Sequence, residues 1–357
     1  MSFRETAHSQ ADACDTLGSA FTATLCRIFA DLPADGGAVT RKLSNWLGDS
    51  SARGDAVALR LAGALHALVL LKRHRALIAQ YPPHHNLADI APLRAAVHSA
   101  LIDEEEFILE WLGSPPQTNE VRRCCALIPS FHTLANKYRM PFVLSELGAS
   151  AGLNMIWDKF GLSTNNHVWG DPLSSVQLCP DWSGPLPPKS DIKIMGRAAC
   201  DQAPLSPANP DDRIRLLAYT WPDQVERMQR TKAAIDLAAK NGFPVEQADA
   251  ADWLESRLKA SHSGSLHIVY HSIFWQYLPR ETAIRATKLI ETAGARATRK
   301  APIAWLRLEP DRQSDGAAIT LTLWPGGQSV VLGRADFHGR WVRWLGTMIP
   351  SENESQI

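Results

Sequence analysis

The chain has no run of about 18 apolar residues, and its opening stretch, Met1-Ser-Phe-Arg-Glu-Thr-Ala-His8, is polar with no apolar core. Neither a membrane span nor a signal segment is therefore expected, and cytoplasm is the expected location. Neither charge is in excess: 37 Lys and Arg face 37 Asp and Glu. That balance gives no broad attraction to nucleic acid or anionic membrane, although it is compatible with a local basic patch. Cys-x-x-Cys pairs are lacking too. The six cysteines, at 14, 26, 124, 125, 179 and 200, are scattered over 357 residues, which reads as reduced thiols filling space rather than disulfides or a zinc site. The one histidine pair, His84-His85, follows Pro82-Pro83 in an expected solvated loop, so no metal centre is expected.

What is present divides in two, and the length suits about two domains. Residues 1–140 read as a helical domain. Leu17, Phe21, Leu25, Ile28 and Phe29 fall at helical spacing, and Ala56 to Leu71 is so apolar that it predicts a central helix. The theme continues from Leu87 to Leu112, where Asp103-Glu-Glu-Glu106 predicts a solvated helical face. Ser114-Pro-Pro-Gln-Thr-Asn-Glu120 then breaks the pattern as a loop ending in a helix cap. In the sharper reading this polar segment folds over a ligand cleft, with Gln117 and Asn119 contributing contacts.

Residues 141–357 alternate strand and helix patterns, which predicts an α/β domain with a mostly parallel sheet covered on both faces. Strands are expected at Phe142–Leu147, Asp191–Met195, Val245–Asp249, Leu266–Tyr270 and Ile303–Leu308, with helices at 211–240, 253–258 and 280–293. The Pro, Gly, Trp and Asp-rich stretch 161–190 reads as an irregular insertion. Ile319–Trp324 and Ser329–Leu332, joined through Pro325-Gly-Gly327, predict an antiparallel hairpin closing the sheet.

The densest signal is Phe142-Val-Leu-Ser-Glu-Leu-Gly-Ala-Ser-Ala-Gly-Leu-Asn154, a buried strand running into a glycine turn and a helix. Gly148 and Gly152 permit a tight turn and close approach of a ligand to the backbone. Glu146 is a carboxylate in an apolar run, costly to bury without hydrogen-bond donors such as ribose hydroxyls. Ligands of open parallel sheets bind beyond the carboxyl ends of the strands. That makes His271, after the fourth strand, a candidate general base or orienting donor, with a satisfied strand-end histidine as the alternative. Trp275, Gln276 and Tyr277 follow, combining aromatic surface with amide and hydroxyl groups. Gln276 and Tyr277 join His271 as catalytic candidates, and Trp275 is assigned to the substrate. Trp221-Pro-Asp-Gln224 offers Trp221, Asp223 and Gln224 as substrate contacts, against the plainer reading of a helix start.

The turn resembles motif I of class I S-adenosylmethionine-dependent methyltransferases, commonly Glu/Asp-x-Gly-x-Gly-x-Gly, with Ser150 standing at the middle glycine. Five parallel strands and a terminal hairpin resemble the sheet of those enzymes. Pro115–Glu120, Glu146–Asn154, Leu216–Gln224, His271–Pro279 and Trp324–Gly327 together resemble a bacterial family catalogued as domain of unknown function 2332. These resemblances imply a Rossmann-like class I methyltransferase fold behind a helical N-terminal domain, with S-adenosylmethionine as cofactor. Glu146, Gly148, Ala149, Ser150, Gly152 and Asn154 would hold its amino-acid end. Asp201, or alternatively Asp171, would meet the ribose, and Asp249 and Ala250 the adenine, while Asp252 would cap the following helix. The expected activity is methyl transfer to a small-molecule acceptor. The alternatives are a non-enzymatic nucleoside or S-adenosylmethionine-binding module, and an interaction scaffold with a degenerate cleft.

Overall fold

The computed structural model describes residues 2–164, 167–313 and 315–346. These fall into two compact units, one of residues 1–118 and 208–232, the other of 119–207 and 233–357. The first break lies at 118/119 where periodicity drew it at 140/141, and the first unit takes back a later segment.

The first unit is helical: α1 (Phe3–Thr16), α2 (Ala20–Ala30), α3 (Ala38–Ser44), α4 (Val57–Leu70), α5 (Arg75–Ile78), α6 (Ala91–Asp103) and α7 (Glu105–Trp111). The apolar stretch predicted to be central is α4, and Leu61, Leu65 and Leu68 are fully buried in the core with Phe21 and Phe29 of α2. In the acidic run 103–106, Asp103 and Glu106 are exposed as expected of a solvated face, while Glu104 and Glu105 are half-buried. The run breaks the helix at Glu104, which pairs with Arg73, while the Glu105 carboxylate accepts the Ala38 N–H at the start of α3. An unsatisfied helix N-terminus explains this use of an acid.

The second unit begins with α8 (Cys124–Tyr138) and β1 (Phe142–Leu147). A short 3-10 helix over Leu153–Lys159 replaces the expected α-helix after the turn. The stretch read as irregular folds as β2 (Gly161–Thr164), β3 (His167–Gly170), β4 (Gln177–Leu178) and β5 (Asp181–Ser183). β3-β2-β4 make a small separate sheet. Next come β6 (Ile194–Asp201), α9 (Pro210–Ala218), α10 (Val225–Asn241), β7 (Glu246–Gln247), α11 (Ala250–Arg257), β8 (Leu266–Ser272), α12 (Arg280–Ala295), β9 (Ile303–Pro310), β10 (Ala317–Trp324), β11 (Gln328–Ala335) and β12 (Trp341–Trp344). α9 belongs to the first unit, and the boundary between units falls within α10.

Among the described residues the main sheet has nine strands in the order β5-β12-β11-β10-β9-β8-β1-β6-β7. From β7 to β9 every pairing is parallel, and β10, β11 and β12 continue antiparallel. The predicted hairpin is β10–β11. The sheet outgrows the five strands plus hairpin because β12 and β5 extend it, with Trp182 of β5 stacked on Trp344 of β12 at 5.8 Å. β6 lies later in the chain than expected, so Asp201 ends the strand itself.

All six residues of β1 are buried, as a strand covered on both faces requires. Strand alternation sorts its neighbours. Val269 and Trp305 pack with Trp253 and Leu254 of α11 and Ile290 of α12. On the other face, Phe142 and Tyr270 meet Phe131 of α8.

Candidate functional site

The strand order turns back between β1 and β8, since the chain leaves β1 for β6 on one side and later adds β8 on the other. Open α/β sheets bind their ligands at such a topological switch, beyond the carboxyl ends of the strands. The turn after β1 lies there. Gly148, Ser150 and Gly152 all have positive φ, at 64°, 54° and 69°. For Ser150 that conformation costs on the order of 1 kcal/mol.

Distant side chains hold the turn in place. The Ser150 N–H donates to Asp201 Oδ2 at 2.8 Å, and the Ala203 N–H to Asp201 Oδ1 at 2.9 Å. The Leu153 N–H donates to Asn119 Oδ1 at 2.8 Å. Asn154 is buried, accepting from the Cys124 thiol at 3.3 Å and donating to the Glu120 carbonyl at 3.4 Å. Ala149 is buried beside Met155 and Ala199. Ser150 Oγ is buried with no hydrogen-bond partner. Asp201 thus stands at the end of the second parallel strand, as proposed for the ribose acid. Asp171 lies instead after β3 of the small sheet, turned to the Leu173 N–H.

Glu146 is in register with Tyr270 on β8, whose hydroxyl donates to Glu146 Oε2 at 3.1 Å. Burial pushes the Glu146 carboxyl up to about 8, and the charge of Asp201 adds to the rise. The Tyr270 bond and the Arg123 guanidinium oppose it without reversing it. At neutral pH Glu146 is mainly the uncharged acid, which can donate as well as accept. Arg123 is itself fastened to the Ser272 and Phe337 carbonyls at 3.2 and 3.1 Å.

His271 does not have the geometry of the expected general base. Its side chain is fully buried, with Nδ1 2.6 Å from Glu309 Oε1, and the Trp305 indole N–H donates to Nε2 at 3.0 Å. Because Nε2 accepts, the ring proton belongs on Nδ1 and is donated to Glu309. Both nitrogens are engaged, as the strand-end alternative requires. Trp275 stacks on the ring at 4.7 Å. Glu309 Oε1 also accepts the Phe274 and Trp275 N–H groups at 3.0 and 3.3 Å, while Oε2 is buried without a partner. Gln276 and Tyr277 are exposed beside this network. The Phe274 ring, finally, fills the space that Gly148 leaves: a Cβ there would lie 2.0 Å from it.

Asp249 is the N-cap of α11, its Oδ1 accepting the Ala251 and Asp252 N–H groups, and Ala250 is buried behind it. The cap expected of Asp252 is therefore made by Asp249, and Asp252 pairs with Arg285. Gln117, Trp221, Asp223 and Gln224 belong to the first unit. There Asp223 accepts from the Ser19 hydroxyl at 2.5 Å and the Phe21 N–H at 3.0 Å, and Gln224 donates to the Leu17 carbonyl at 3.1 Å. These two side chains fasten the α1–α2 turn, and Arg227 lies over the Trp221 ring. Sequence reasoning missed Arg123, Tyr270 and Glu309. An acid at the carboxyl end of the fifth parallel strand was the one available signal, at Glu309. Among the described residues no group of three or more His, Cys, Asp and Glu is placed to hold a metal ion, and no helix is long and apolar enough to cross a membrane.

No curated protein matches the chain. It belongs to the family of domain of unknown function 2332, an uncharacterized protein conserved in bacteria, whose profile matches residues 4–344.

Proposed function

We propose that this member of the family binds S-adenosylmethionine in the crevice beyond β1, β6 and β8 and transfers its methyl group to a small molecule. The reading rests on one observation: a left-handed turn at the topological switch, tied down by an acid at the end of the neighbouring parallel strand. The residues present are compatible with the cofactor. Asp201 spends one lone pair of each oxygen on a backbone N–H, leaving others for ribose hydroxyls. Ser150 Oγ, buried and unpartnered, is a polar atom in want of a ligand or water. Bound S-adenosylmethionine would supply an electrophilic methyl group on a sulfonium. The protein's part would be mainly alignment of acceptor and donor, since His271 is engaged on both nitrogens.

That engagement, with Phe274 seated on Gly148, favours a second reading in which the fold binds a nucleoside without turnover. Calorimetry of the full chain with S-adenosylmethionine, S-adenosylhomocysteine and adenosine tests both. Micromolar binding weakened at least about tenfold by Asp201→Asn is the expected result. Absence of binding by the folded protein would overturn the proposal. Binding without methyl transfer across a broad acceptor screen would select the second reading.

A further inference from the structure

At the opposite end of the same sheet lies a cavity of about 240 Å³. β8 and β9 run parallel and both begin there, so roughly 20 Å of strand separates it from the crevice beyond their carboxyl ends. Lys259, Ser261, His262, His267 and Arg296 line it, with Leu258 and Ile303 supplying apolar wall. None of the described lining residues is acidic. Its loops are pinned to each other. The Gly264 N–H donates to the Lys300 carbonyl at 2.6 Å and the His267 N–H to the Pro302 carbonyl at 3.0 Å, which preforms the site.

Lys259 and Arg296 follow the C-termini of α11 and α12, where cations are favoured by the helix dipole. That role accounts for their charge but leaves the sign of the cavity positive, because two helix ends carry roughly half a negative charge each against two full positive charges. It also leaves His262 unexplained. His262 Nε2 is buried with no hydrogen-bond partner, an arrangement that is unfavourable unless something fills it. The neighbouring imidazole does not serve it. His267 meets His262 edge to face at 4.9 Å, and its own Nε2 is bonded to Ser145 Oγ at 2.8 Å.

We propose that this cavity binds a small tetrahedral oxyanion, either free phosphate or the phosphate group of a small phosphomonoester. Lys259, Ser261 and His262 on the loop after α11 and Arg296 at the end of α12 would supply its donors. Several cationic and neutral donors around one small cavity suit an anion with four acceptor oxygens better than a carboxylate with two.

The test is titration of the full chain with inorganic phosphate, glycerol phosphate and acetate, followed by calorimetry and by the ring resonances of His262. Saturable phosphate or phosphoester binding that moves those resonances, and that weakens at least about tenfold in Lys259→Ala/Arg296→Ala, is expected. Both substituted side chains are exposed, so the fold should persist. His262→Gln provides a second variant and should weaken binding in the same direction. Tighter binding of the ester identifies an organic phosphate as the ligand, and tighter binding of phosphate identifies the free ion. No saturation up to about 10 mM, or equal affinity in the double variant, overturns the proposal. The outcome is independent of S-adenosylmethionine binding, which the other end of the sheet would carry.

Discussion

At Gly148 a Cβ would lie 2.0 Å from the Phe274 ring, and φ is 64°. Overpacking and the left-handed backbone together should make Gly148→Ala cost about 2–4 kcal/mol. Adding Phe274→Ala should recover part of that loss, giving a non-additive cycle by urea denaturation. Strict additivity would show that the ring is not what excludes the methyl group. Glu146 supports a second residue-scale prediction. Its carboxyl is raised from 4.5 to about 8, so between those values the native state holds a proton that the unfolded chain has lost. The associated stability is fully present below the unfolded value and disappears as pH rises through the folded one, by at most about 1.4 kcal/mol per pH unit. Glu146→Gln should remove that slope. Urea midpoints of wild type and variant between about pH 5 and 8 should therefore converge or cross as pH rises, and parallel curves would refute the shift.

Elements are held by side chains from elsewhere in the chain. α2 begins at Ala20, and its N-terminal amides, which have no intrahelical acceptor, are met by Ser19 together with Asp223, which is 202 residues from Phe21. Asp223→Ala should cost about 1–2 kcal/mol and accelerate amide exchange at Phe21 and Thr22. Unchanged exchange there would mean the cap is not maintained in solution. The 273–277 segment depends on Glu309 in the same way, since one oxygen receives three donors. Glu309→Ala should speed exchange at Phe274 and Trp275 and cost about 2–4 kcal/mol, because buried donors lose their acceptor. A stability unchanged from wild type would remove Glu309 from that role. The turn after β1 behaves as an element too: its glycines were evident from the sequence, but Asn119 and Asp201, which fix it, came from opposite sides in the chain.

For the whole molecule, the helical unit is discontinuous. Ala218 and Tyr219 complete its core, the Tyr219 ring resting on Gly63 of α4, and His66 Nδ1 lies 3.1 Å from the Ala218 carbonyl. Burial lowers the His66 imidazole to about 4, so it is neutral around pH 7 and can donate to that carbonyl from Nδ1. A fragment of residues 1–118 lacks these partners. It should therefore show helical circular dichroism without a cooperative thermal transition, whereas a sharp transition would show that 208–232 is dispensable to that unit. The switch between β1 and β8 is also a property of the whole sheet, and the proposed cofactor crevice follows from it.

The sequence by itself determined the local classes: a central apolar helix at α4, a doubly buried strand at β1, the β10–β11 hairpin, and a glycine turn between β1 and the helix that follows. Those depend on side-chain periodicity and on which residues accept positive φ, properties of a few neighbouring positions. Only the tertiary structure decided that Asp223 caps a helix in the first unit, that Phe274 occupies the room above Gly148, and that His271 is shared between Glu309 and Trp305. The reason is that strand order and register bring together groups 38 and 34 residues apart at His271, and helix packing in the first unit brings together groups more than 200 apart at Asp223. A side chain's hydrogen-bond partner is fixed by that three-dimensional arrangement, and no local pattern encodes it.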